Sequence, residues 1–135
     1  MLYDIRLELH YDYEASVHGD RHLVRVTPAS IPGVQRVIAT SLSFDPRPRH
    51  ESGFADFFQN AVTTIAYDHA HDHLDVRLAA RVLVEDVGKP ADLSPTVPAL
   101  QEEIARLWSL APESPHHFLA PSPRIPLSRA ITAYA

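Results

Sequence analysis

Alternation dominates the first part of the chain. Between residues 2 and 13, Tyr3, Ile5, Leu7, Leu9, Tyr11 and Tyr13 share one parity, and Asp4, Arg6, Glu8, His10 and Asp12 share the other. A strand turns successive side chains to opposite faces, so this segment is predicted to be a long strand with one covered and one wet face, as in an antiparallel sheet. Residues 74–85 repeat the pattern, with Leu74, Val76, Leu78, Ala80, Val82 and Val84 together. A strand over 22–27 is closed by Pro28 and Ile31-Pro32-Gly33, and is expected to form a hairpin with the first strand through a turn at His18-Gly19-Asp20. Another, over 34–44, carries Ile38, Leu42 and Phe44 on one side and ends at Asp45-Pro46-Arg47-Pro48. Residues 60–67 suit a strand covered on both faces. Asp56-Phe57-Phe58-Gln59-Asn60 reads as the turn before it, with Asn60 suited to a left-handed backbone.

The period changes after Glu85. Asp86-Val87-Gly88-Lys89-Pro90 breaks the β pattern, and Leu100, Ile104, Leu107 and Trp108 then recur at helical spacing. One amphipathic helix is predicted over about 98–110, with Thr96 at its N-cap and Glu102 and Glu103 in its first turns. Residues 114–129, punctuated by proline, read as an irregular extended connection, and 126–134 as the start of a further helix. The domain reading is therefore a β-sandwich over 1–88, then the helix and a proline-rich linker over 89–135. The fold class is mostly β, an antiparallel sandwich of immunoglobulin-like or similar type, with a barrel as the nearest competitor.

Composition narrows the functions. A 45% hydrophobic and 21% charged chain of 135 residues should fold around one core. Lys plus Arg is 12 against 17 for Asp plus Glu, a formal charge of -5, which offers no basic footprint for nucleic acid or an anionic membrane. The absence of cysteine excludes disulfides, thiolate metal sites and a Cys nucleophile within these residues. No apolar run is long enough to span a bilayer, and the start of the chain is too acidic for a signal peptide, so a cytoplasmic location is expected.

Candidate chemistry is sparse. His69, His71 and His73 would lie on one side of an extended chain, within reach of a divalent metal. The same spacing suits a solvated turn, and no Asp, Glu or Cys partner is identifiable. His116 and His117 lack an accompanying nucleophile and oxyanion donors, which favours surface or interdomain contact. Ser114, Ser122 and Ser128 lie outside any nucleophile elbow, and there is no phosphate loop or dinucleotide fingerprint. Tyr3, Tyr11 and Tyr13 share their face with Ile5, Leu7 and Leu9, so core packing is expected rather than a carbohydrate platform. No catalytic, cofactor-binding or metal-binding residue is assigned, and no cofactor is expected.

Several segments, taken in order, resemble the N-terminal region of bacterial transglutaminase-like proteins. They are Tyr11-Asp12-Tyr13 followed by Val17, Leu23-Val24-Arg25-Val26-Thr27-Pro28, Gln35, and Phe44-Asp45-Pro46. Asp56-Phe57-Phe58-Gln59-Asn60 is similar to the family's Asp-x-Phe-Gly-Asn, and His71-Asp72-His73-Leu74-Asp75-Val76 to its His-x-x-Leu-x-Val. Phe118-Leu119-Ala120-Pro121-Ser122 resembles the link before the enzyme core. Gln59 stands where the family usually has Gly, and Ala15-Ser16 where a proline commonly precedes Val17. The resemblance implies a sandwich preceding a papain-like core in which a Cys, a His and an Asp perform acyl transfer or amide hydrolysis. None of the three can be placed on this chain, which is expected to be a fragment stopping before that core.

The function expected is thus a non-catalytic accessory domain of a transglutaminase-like cysteine protease, packing against or gating a downstream catalytic domain of the same chain. The alternative is an independent sandwich module binding peptide or glycan. An isolated domain should expose an apolar patch that promotes a homodimer, near Leu107 and Trp108 or at Phe118 and Leu119.

Overall fold

The computed structural model describes residues 1–86, 88 and 91–134. Val87, Lys89 and Pro90 of the expected break, and Ala135, lie outside the described residues. The chain divides into two compact units, Met1–Pro90 and Ala91–Ala135.

The described residues of the first unit form six strands: β1 (Leu2–Val17), β2 (Arg21–Val24), β3 (Gln35–Asp45), β4 (His50–Ala55), β5 (Ala61–Ala66) and β6 (His71–Val84). They form two antiparallel three-stranded sheets, ordered β1-β6-β3 and β2-β5-β4. The expected hairpin of the first two strands does not form. At Gly19, whose φ of 73° suits a residue without Cβ, the chain leaves the first sheet and enters the second. β1 instead pairs with β6, from Leu2 opposite Leu83 to Asp12 opposite His73, and the register shifts before Val17 meets His71.

Register explains the core. Leu9 opposite Val76 and Phe44 opposite Val76 place one parity of β1, β6 and β3 on the inner face. Ile65, Tyr67, Leu74 and Val76 are buried there, with Leu9, Tyr13, Val24, Leu42 and Phe44 packed against them. Burying such side chains stabilises by roughly 1.5–3 kcal/mol each. Val62 and Ile65, of opposite parity on β5, are both buried, so this strand is covered on its two faces as its sequence predicts. Ile38 is different: Val37 pairs with Val82 and Ala39 with Arg81, leaving Ile38 as the extra residue of a bulge, and it is exposed. Tyr3 and Tyr11 also depart from expectation, remaining about half exposed because β1 is an edge strand with a neighbour on one side only.

The second unit holds α1 (Val97–Arg106), α2 (His116–Leu119) and α3 (Arg129–Tyr134). Thr96 occupies the N-cap of α1 but makes no side-chain cap bond, and the first turn holds no acidic residue, so Glu102 and Glu103 sit later than expected. α1 stops four residues before the predicted end, and α2 is a short helical turn inside the stretch expected to be irregular.

Candidate functional site

The polar side chains that the fold draws together lie where the β1–β2 crossing meets the turn between β5 and β6. Asp20 follows the Gly19 turn, and its carbonyl accepts a hydrogen bond from the Tyr67 amide at 3.1 Å, tying the two segments. His22 Nε2 donates to Asp20 Oδ2 at 2.5 Å. His71 Nε2 faces the same oxygen at 3.5 Å, and its Nδ1 donates to the His69 carbonyl at 3.2 Å. The His71 side chain is only 3% exposed. Its Nε2 and Asp20 Oδ1 are buried with no hydrogen-bond partner among the described residues.

Two phenols complete the group. The Tyr67 ring lies 4.4 Å from that of His71, and the Tyr13 ring meets His71 edge-on at 5.7 Å. Tyr67 Oη donates to the Pro46 carbonyl at 2.9 Å, across the cis Asp45–Pro46 peptide. Burial, then the negative charge of Asp20, pushes the Tyr67 phenol up to about 12. The same two causes, in the same order, raise Tyr13. Both phenols therefore stay protonated at neutral pH, Tyr67 as a hydrogen-bond donor and both as packing surfaces. Beside the cluster, an apolar cavity of about 310 Å³ runs along Tyr11, Tyr13, His22, Leu23 and Val24.

The three histidines of the predicted extended row do not converge. His69 and His71 gather around Tyr67, whereas His73 donates through Nδ1 to Asp72 at 2.9 Å. Among the described residues no group of three or more His, Asp or Glu side chains is arranged to hold a metal ion. His116 Nε2 donates to the Leu107 carbonyl at 2.8 Å, and His117 Nε2 reaches the carbonyls of Leu110 and Ala111, both at 3.1 Å. These two histidines satisfy backbone carbonyls just beyond α1, where a helix end leaves acceptors over. Ser114 is buried, while Ser122 supports a local turn through Ile125. Sequence reasoning missed Asp20 and His22, because only the long-range meeting of β2 with β5 brings them to Tyr67 and His71.

The outer face of the first sheet is a ladder of opposite charges. Arg81 grips Asp4 through Nε at 2.6 Å and a terminal nitrogen at 2.8 Å, and thereby holds the Asp4 carboxyl below its ordinary value. Further along, His10 contacts Asp75, which Arg77 also contacts.

The turn between β4 and β5 completes the inventory. Asp56 accepts hydrogen bonds from the amides of Phe58 and Asn60, both at 3.0 Å, and from Arg25 Nε at 3.1 Å. Desolvation pushes its carboxyl up, but these donors outweigh that and leave it below the usual range. Gln59, not Asn60, takes the left-handed backbone, at φ 63°. Thus Asp at the head of the turn and a residue of positive φ three places on, the features of the Asp-x-Phe-Gly-Asn resemblance, are both present. Residues 3–83 match the family described as the bacterial transglutaminase-like N-terminal region. The chain belongs to this family. The match spans β1 to β6, so the family's region is the two-sheet unit, in a chain without cysteine. No curated protein and no solved structure matches. Among the described residues no helix is long and apolar enough to cross a membrane.

Proposed function

We propose that the chain serves as a non-catalytic accessory domain of a transglutaminase-like cysteine protease or acyltransferase, packing against or gating a catalytic domain further along the same polypeptide. The observation that carries this reading is the family match over residues 3–83, in a chain with no Cys to act as nucleophile. The Asp20, His22 and His71 cluster supports it by tying loops together, since His22 holds Asp20 Oδ2 and His71 Nδ1 holds the His69 carbonyl. Exposed apolar side chains after the sandwich, among them Trp108 and Leu110, suit contact with a further domain.

The reading requires the polypeptide to continue past Ala135 into a domain containing a Cys, a His and an Asp. Sequencing the complete gene tests it directly, and a product without such a domain overturns it. If the domain is there, removing residues 1–86 should change amide hydrolysis or acyl transfer by the remainder, and an unchanged rate would count against packing or gating. The cavity along Tyr11, Tyr13 and Leu23 favours a second reading, a module that binds peptide or glycan on its own. Saturable binding of either by the isolated chain would support that alternative.

A further inference from the structure

An edge strand offers unpaired backbone donors and acceptors to any other strand, and folded proteins guard such edges with proline, bulges, short length or inward-pointing charge. Three of the four edges here are guarded. β3 is interrupted by the Ile38 bulge, β2 is four residues long, and β4 contains Gly53 and follows Pro46 and Pro48. β1 is not. It runs 16 residues without Pro, Gly or Lys, and its irregularity falls only between Asp12 and Val17. Its core-facing parity over residues 3–11 is wholly apolar or aromatic, yet Tyr3, Ile5 and Tyr11 are 47%, 39% and 48% exposed.

The sequence of that edge is close to a palindrome about Leu7. On the inner face it reads Tyr, Ile, Leu, Leu, Tyr from residue 3 to 11, and on the outer face Asp4, Arg6, Glu8, His10. We infer that two copies of this chain pair antiparallel through β1 about a two-fold axis at Leu7, joining their first sheets into one continuous six-stranded sheet. In this register Arg6 stands opposite Glu8 of the second copy, Asp4 opposite His10, Tyr3 opposite Tyr11, and Leu7 opposite itself. Opposite charges and aromatic pairs directly across a ladder stabilise it, and like charges destabilise it.

Neighbouring registers fail. Moving the axis to Arg6 sets Arg6 against Arg6 and Asp4 against Glu8, while moving it to Glu8 sets Glu8 against Glu8 and Asp4 against Asp12. A one-residue slip would set polar side chains against the apolar row, and a parallel in-register pairing would stack like on like. Within the chain, Asp4 is engaged by Arg81 and His10 by Asp75 and Asp12, but Arg6 and Glu8 form no ion pair among the described residues. The two charges nearest the axis are thus left for the second copy, as a self-complementary two-fold contact requires.

Sedimentation of the 135-residue chain over a range of concentrations tests this, with circular dichroism to verify the fold of each variant. The expected result is a dimer that Arg6→Glu or Glu8→Arg weakens at least about tenfold and that the double exchange R6E/E8R restores, because the swap re-forms the pair across the axis. Leu7→Cys should close a disulfide-linked dimer under oxidation, since residues facing each other across an antiparallel pair lie within disulfide reach. Glu14→Cys, beyond the paired segment, should not. A monomer at high concentration overturns the inference. So does a dimer indifferent to both reversals, which would move the contact to the apolar side chains after residue 91, and so does failure of the exchange to restore what the single reversals remove.

Discussion

Among the described residues Gln59 is the one non-glycine with a positive φ. At φ 63° its Cβ crowds the following carbonyl, at a cost of roughly 1–2 kcal/mol that glycine avoids, offset in part by the greater freedom glycine loses on folding. The turn is held in this shape regardless, because the Asp56 carboxylate binds the amides on either side of Gln59. Gln59→Gly should therefore stabilise the protein by about 0.5–1 kcal/mol and raise its melting temperature by a few degrees, while Gln59→Val should lower it. A melt in which Gly gains nothing would mean that the turn relaxes at no cost. A second residue-scale effect concerns pH. The hydrogen bond to Asp75, then the charge of Asp12, raises His10 above 6.5, and His10 in turn lowers Asp75 below 3.8. A raised His stabilises fully below its unfolded pKa and loses that contribution as pH rises through the folded value. A lowered Asp contributes above its unfolded pKa and loses it as pH falls. Both are present between 3.8 and 6.5. Denaturant melts at about pH 5.5 and about pH 8.5 should show wild type weaker at the higher pH, with the difference reduced in His10→Ala. An equal difference in the variant would show that the pair is not the source.

Among the elements, β5 has the greatest leverage, since Ile65 is fully buried and faces the cluster shared by both sheets. Ile65→Ala should cost about 2–5 kcal/mol, read as a lower urea midpoint with an unchanged slope, and a smaller loss would mean that the core collapses around the gap. What the sequence revealed of these elements follows from what each strand buries. β6 buries one parity against the core and β1 turns its apolar parity to the same face with Leu7, Leu9 and Tyr13 half-buried, so their alternation is unbroken and their extent is legible. β4, His-Glu-Ser-Gly-Phe-Ala, is exposed throughout and is held by backbone pairing with β5, so no hydrophobic period marks it. Pairing was harder to read than extent. Nothing local distinguishes β2 as a partner of β1 from β2 as a partner of β5, and the short Gly19 turn suggested the wrong choice. The same limit hid the polar cluster, because Asp20 and His71 are 51 positions apart and meet only through that partnership. Ile38 was misplaced for a smaller reason, a bulge that adds one residue without any proline or glycine to announce it.

At the scale of the molecule, order is distributed unequally. The first unit contains the buried cluster and all six strands, whereas α1, α2 and α3 are 10, 4 and 6 residues long and bury no residue. Helices shorter than about 12–15 residues are marginal in water unless a packed face supports them. On α1 Val97 is 69% exposed and Leu100 43%, and Trp108 just beyond it is 92% exposed, so the apolar surface that would supply such support is unspent. Amide hydrogen exchange should consequently report two classes, with β6 opening only near the global unfolding free energy and α1 exchanging at least about a hundredfold faster. A catalytic domain docking on the second unit would bury that surface and slow α1 selectively, leaving β6 unchanged because its protection comes from the core of the first unit, which such a partner does not touch. If α1 in the isolated chain exchanges as slowly as β6, its order comes from contacts the chain already makes. The helix would then have little left to gain from a partner, and the accessory reading would lose its proposed contact surface while the family membership of residues 3–83 stood.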